Sequence, residues 1–339
     1  MRVLLALFSL LTLALPARGE PLAVCASVPS LGELAREVGG DDVDVTVFAK
    51  PGEDPHFIDP RPSFVRALSR ADALVFVGMD LELGWLPPLV QNARNAQILP
   101  GSTGYIDAST VVTPLGVPPP GTTRLAGDVH RYGNPHFLVD PVQGLRVARL
   151  LAGRFAVLRP DKRASFDERL VDLERRVGEG LFGAALARRY EVEKLARLQE
   201  LGKLDDFLGS QGELEELGGW SARVLPHTGV AAVADHNLWP YFARRFGLSM
   251  IGYLEPKAGV PPTTKHLTVL IAQMRDRNAQ LILAAPYFPS GHAELVARET
   301  GARVAHVAHE VGAYPGTESY LGMVDYNVGA VEAALGEGR

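Results

Sequence analysis

The strongest constraint on this chain is a rhythm: short apolar segments alternate with helical ones, twice over, on either side of a long stretch with no strand signal. "LAVCASVP" is followed by "SLGELAREVGG", which reads as a helix capped by Ser30 and ended by Gly39-Gly40. "VDVTVFA" alternates as a strand does, "RPSFVRALSRA" is helical with Pro62 near its start, and "DALVFVG" is an apolar strand. After residue 219 come four more strands, "VAAVADH", "SMIGYLE", "AQLILAAPYF" and "RVAHVAH", with helical stretches between them. Strands alternating with helices argue for α/β units and largely parallel sheets, since a parallel neighbour needs a crossover rather than a hairpin. Between residues 141 and 217 the pattern is different: Val142, Leu145, Ala148, Leu151, Phe155 and Leu158 recur at helical spacing. Phe166, Leu170, Leu173 and Val177 form a second such face. The layout is α/β, a helical connector, then α/β, and 339 residues are enough for two domains.

The first residues, "MRVLLALFSLLTLALPARGE", place one Arg before an apolar run that is too short to span a bilayer. Ala17-Arg18-Gly19 puts small residues ahead of Glu20, so residues 1–19 read as a secretory signal peptide. The mature protein is then expected in the periplasm or another extracytoplasmic space. Cys25 is the only cysteine, so no disulfide framework exists. Bulky Val24 before it argues against a lipid-attachment site, and Cys25 reads as a buried residue of the first strand. A net charge of −5 without a basic stripe gives no nucleic-acid surface.

The chemistry lies in histidines. Two loops share a Pro-His-Phe core trailed by Asp-Pro: "GEDPHFIDPRPS" holds His56 and "GNPHFLVDP" holds His136. His236 follows the strand "VAAVAD", and His309 ends "RVAHVAH". In parallel α/β sheets ligands bind beyond the carboxyl ends of strands. Four imidazoles arriving from both halves of the chain form the donor set that zinc prefers. Pro55, Pro135 and the Asp-Pro steps restrict the backbone around His56 and His136, which lowers the entropic cost of holding a ligand in place. There is no His-Glu-x-x-His pair, no Gly-x-Ser-x-Gly elbow and no phosphate-cradling loop. A zinc hydrolase with Glu255 or Glu310 as its base stays open as an alternative.

These stretches, with "PLAVCASVPSLGELAREVGGDDVDV", "ADALVFVGMDLELGWLPPL", "DHNLWPYFARRFGL", "EPKAGVPPTTKHL" and "SYLGMVDYNV", resemble the zinc/manganese substrate-binding proteins of bacterial ABC transporters, in the family's order and over nearly the whole mature chain. The resemblance implies two α/β lobes, each with a mainly parallel four-stranded sheet flanked by helices, joined by one long rigid helix with the metal between them. Residues 20–140 would form the amino-terminal lobe, 141–219 the linking helix plus a helical insertion, and 220–339 the carboxy-terminal lobe. His56, His136 and His236 correspond to the family's first three ligands. His309 stands where the fourth, usually Asp, is expected, with Glu310, Glu255, His130 or water as other candidates. The implied role is an exported, monomeric, non-enzymatic receptor that captures Zn²⁺, less suitably Mn²⁺, for a membrane permease driven by a cytoplasmic ATPase. A stand-alone extracytoplasmic metal buffer or adhesin-like protein is the other alternative. Besides His309 at the fourth position, two further departures mark the chain. A Pro/Thr-rich segment replaces the His- and acid-rich loop of many zinc members, and residues 181–219 are an added helical stretch.

Overall fold

The computed structural model describes residues 20–119, 121–122, 130–256 and 260–336. The proposed signal peptide, residues 1–19, lies outside the described residues, as does part of the Pro/Thr-rich segment. Two four-stranded sheets form the two lobes. In the first, β1 (Leu22–Ala26), β2 (Val43–Val47), β3 (Ala73–Phe76) and β4 (Tyr105–Asp107) lie in the order β2-β1-β3-β4. In the second, β5 (Ala231–Ala234), β6 (Ser249–Tyr253), β7 (Leu281–Ala284) and β8 (Arg303–His306) repeat that order as β6-β5-β7-β8. Every pairing is parallel. The inner strands β3 and β7 are buried along their whole length, which is why they read as unbroken apolar runs, while the edge strand β2 alternates. β4 went unread in the sequence because a three-residue strand is too short to show a period.

The helix read as capped by Ser30 starts one residue earlier, at Pro29, whose fixed φ suits the first helical position. Ser30 is not the cap. Its backbone N–H and its hydroxyl both donate to the Glu310 carboxylate of the other lobe.

The strand-free stretch is helical, as its periodicity requires. Asp140 caps the helix Pro141–Leu158 by accepting from the Val142 N–H at 3.0 Å. Val142, Leu145, Ala148, Leu151 and Phe155 are buried on one face, each contributing about 1.5–3 kcal/mol of transfer free energy where large. The longer helix Arg163–Phe182 joins the lobes. Near its start Arg169 donates to the Gly39 carbonyl and the Asp42 carboxylate of the amino lobe. Near its end Gly180 lies against the Trp220 ring. The insertion folds as helices Ala184–Arg189, Val192–Glu200 and Leu204–Gln211. Arg245, fully buried, fastens it to the linker: its guanidinium reaches Asp140 at 2.9 and 3.2 Å, Glu200 at 2.7 Å and the Ala196 carbonyl at 3.0 Å. One continuous hydrophobic cluster runs from Leu31 and Leu34 through the linker to Trp239, Phe242 and Tyr320, so both lobes share a core.

Candidate metal centre

The two similar loops are held by one local device. In the first, the Asp54 carboxylate accepts from the His56 backbone N–H at 3.0 Å, two residues on. In the second, the Asn134 side-chain oxygen accepts from the His136 N–H at 2.9 Å. These Asx turns fix the backbone around the intervening proline. Trp85 then pins the first loop by donating to the Pro55 carbonyl. The Asn134 amide ties the second loop to the carboxy lobe by donating to the Asn237 carbonyl at 2.7 Å, next to His236.

Asp54 has a further task. The same carboxylate oxygen lies 2.7 Å from His56 Nδ1. Burial works to raise Asp54, but the hydrogen bonds and charge of His56 outweigh it and leave the carboxyl below its ordinary value. Ionised Asp54 accepts only, so His56 Nδ1 carries a hydrogen and Nε2 is the ring nitrogen left to ligate a metal.

His130 follows the same logic. Its Nδ1 lies 3.0 Å from the Met79 carbonyl, again an obligate acceptor. That carbonyl is aimed by an unusual turn: Gly78, Met79 and Asp80 have φ of 85°, 51° and 67°. Two non-glycine residues in the left-handed region cost of order 1–3 kcal/mol each. The buried Glu82 carboxylate offsets this, accepting from the Val77 N–H, the Gly78 N–H and the Ser27 hydroxyl. His130 Nε2 lies 3.2 Å from His56 Nε2.

Among the described residues, His56, His130 and His136 form a group whose ligand atoms all lie within 4.8 Å of one another. His309 arrives from the carboxy lobe with its ring centroid 4.9 Å from that of His136. His136 and His309 are nearly inaccessible, and the Nδ1 atom of each is buried with no hydrogen-bond partner. Burial, then the neighbouring imidazoles, hold His136 well below its ordinary pKa. Burial pushes His309 down to about 3, against the pull of Asp54. Both rings are therefore neutral and have lone pairs to give.

The four histidines singled out in the sequence do not all stand equally close. His56, His136 and His309 meet where the lobes face each other. His236 is outside the tightest group, with Nδ1 4.0 Å from the Glu255 carboxylate and its ring beside Phe288, yet near enough for its charge to act on His136 and His309. Glu310 is occupied by Ser30, and its other carboxylate oxygen stays 3.9 Å from His309 Nδ1. His130, a lesser candidate in the sequence, belongs to the tightest group. The features that went unread are Asp54, Asn134, Glu82 and the Met79 turn. The first two carry a signal, an Asx residue two positions before each histidine. Among the described residues the close group offers imidazole nitrogens and no carboxylate, a donor set for a borderline-soft divalent cation.

The zinc-uptake complex component A periplasmic family (ZnuA) matches residues 24–179 and 210–334. The gap between the two matched segments, residues 180–209, overlaps most of the helical insertion. A manganese-binding lipoprotein, MntA, of Halalkalibacterium halodurans is 21% identical over 322 residues, covering 94% of this chain and 90% of that protein. The high-affinity zinc uptake system protein ZnuA of Yersinia pestis is 24% identical over 308 residues, covering 88% and 86%. The crystal structure of a ZnuA deletion mutant with zinc bound superposes with a TM-score of 0.66 at 22% identity, over 93% of this chain and 98% of that one, a likeness of fold.

Proposed function

The chain belongs to the zinc-uptake component A family of metal-binding proteins that serve ABC transporters, and from that premise we propose that it is an exported Zn²⁺ receptor that hands its ion to a membrane permease. It is a binding protein and not an enzyme, in keeping with relatives that are transport components. That leaves the hydrolase alternative without support. Relatives named for zinc and for manganese both occur, so the choice of metal rests on this chain's own donors.

The observation that carries the zinc reading is the all-imidazole centre. His56, His136 and His309 converge, burial favours the neutral form of His136 and His309, and among the described residues no carboxylate joins the close group. Manganese favours oxygen donors, whereas imidazole suits zinc, and the Irving–Williams order points the same way. His236, from the loop after β5, is the fourth proposed ligand, drawn in from beside Glu255 when the ion binds. Copper would also bind such a set, so selectivity against Cu²⁺ is not part of the proposal.

Residues 1–19 act as the export signal, and the mature receptor works as a monomer outside the cytoplasm. Among the described residues no helix is long and apolar enough to cross a membrane. Competition tests the metal: protein loaded with excess Mn²⁺ should release it almost completely to equimolar Zn²⁺. Retained manganese would mean that a carboxylate, Glu310 or Glu255, enters the coordination shell, and the zinc assignment would fall.

A further inference from the structure

Five histidines surround a centre that a tetrahedral ion fills with four. The surplus ring is His130. Its position is specific, because the Met79 carbonyl engages its Nδ1 just as Asp54 engages that of His56. The two Nε2 atoms face each other at 3.2 Å, near enough for one cation to be held by both rings. The separation is close to the roughly 3.3 Å edge of a tetrahedron with zinc–nitrogen bonds of 2.0–2.1 Å. With His136, the pair makes a three-nitrogen set built wholly from the amino lobe.

We propose, resting on the zinc-receptor reading above, that His130 is a landing ligand. Zn²⁺ first binds to His56, His130 and His136 on the amino lobe, with water in the open position. His130 then gives way as the carboxy-lobe imidazoles His309 and His236 take over the ion, and it returns to the shell when the ion leaves. The strained Gly78–Asp80 turn, braced by Glu82, keeps the His130 ring aimed at the site throughout. His130 thus governs how fast the ion enters and departs more than how tightly it is held.

The test is stopped-flow transfer of Zn²⁺ from a chromophoric chelator to chelator-stripped full-length mature protein. Wild type, His130→Ala and His130→Gln are compared, with circular dichroism to verify folding. Both substitutions should slow uptake and release about tenfold or more, a barrier change of about 1.4 kcal/mol per tenfold. Equilibrium affinity should fall far less than it does in His136→Ala. In a His236→Ala/His309→Ala background, residual zinc binding should persist and should vanish on adding His130→Ala. If His130→Ala lowers affinity as much as His136→Ala does, His130 is a permanent ligand and the landing role is wrong. Unchanged kinetics would overturn it equally. Full recovery by His130→Gln, which still donates to the Met79 carbonyl but is a poor zinc ligand, would reduce His130 to a structural part. A wild-type protein that takes up no zinc would refute the receptor reading itself, a result distinct from these.

Discussion

His309 offers a quantitative test of how the centre is built. In the folded, metal-free protein burial holds its pKa at about 3. In the unfolded chain the ring titrates near 6.5. Between those values the unfolded state binds a proton that the folded state refuses, so stability falls as pH falls through 6.5 and stops falling only near 3. Integrating from pH 7 to pH 5 gives a loss of about 2 kcal/mol from this one residue. Net pH dependence of the whole protein will not reveal it. Glu310 and Asp235 are each raised to about 7 by burial, so their folded forms bind protons in the same range and stabilise the fold as pH drops. The comparison must therefore be differential. Urea unfolding of wild type and His309→Asn, both stripped of metal by chelator, should be followed at pH 7 and pH 5. The stability of wild type relative to the variant should drop by about 2 kcal/mol between the two conditions. A relative stability that stays constant to within about 0.5 kcal/mol would refute the burial of a neutral imidazole at this position.

Other consequences follow from the same contacts. Arg245→Met leaves Asp140 buried beside an apolar side chain and should destabilise the fold by about 3–5 kcal/mol in chemical denaturation, with Asp140→Asn added to it restoring part of the loss. Asp54→Ala frees the His56 ring to rotate and should weaken zinc binding by about 10–100-fold in calorimetry while leaving one ion per chain. Cys25, buried in β1 with its thiol pushed up to about 12 by burial, should resist thiol-specific reagents at pH 8 until denaturant is added.

The parts of the fold that the sequence reveals are those with a period. β1, β3, β5 and β7 are apolar because helices cover both faces of their sheets, and the helices after Asp140 show their buried stripe directly. Ser30 misleads because a serine before a helical pattern looks like a cap, whereas Pro29 starts the helix and frees Ser30 to bind Glu310 from 280 residues away. The site divides in the same way. His56 and His136 stand out because their loops repeat a motif. His130 does not, because what holds its ring beside the other imidazoles is a carbonyl aimed by positive φ at Met79 and Asp80, of which Met79 does not favour that conformation. His236 has a clear place after β5, yet the distance from its ring to the other histidines depends on how the two lobes pack, which no local pattern encodes.

The central claim is that one Zn²⁺ binds where imidazoles of the two lobes converge. Isothermal titration of chelator-stripped mature protein with Zn²⁺ tests it most directly, alongside His136→Ala, which removes the ring standing between His56 and His309. Wild type should bind one ion per chain tightly, and the variant should lose most of that affinity because its tetrahedral shell is incomplete. Wild-type affinity retained in His136→Ala, or no binding by wild type, would contradict the account.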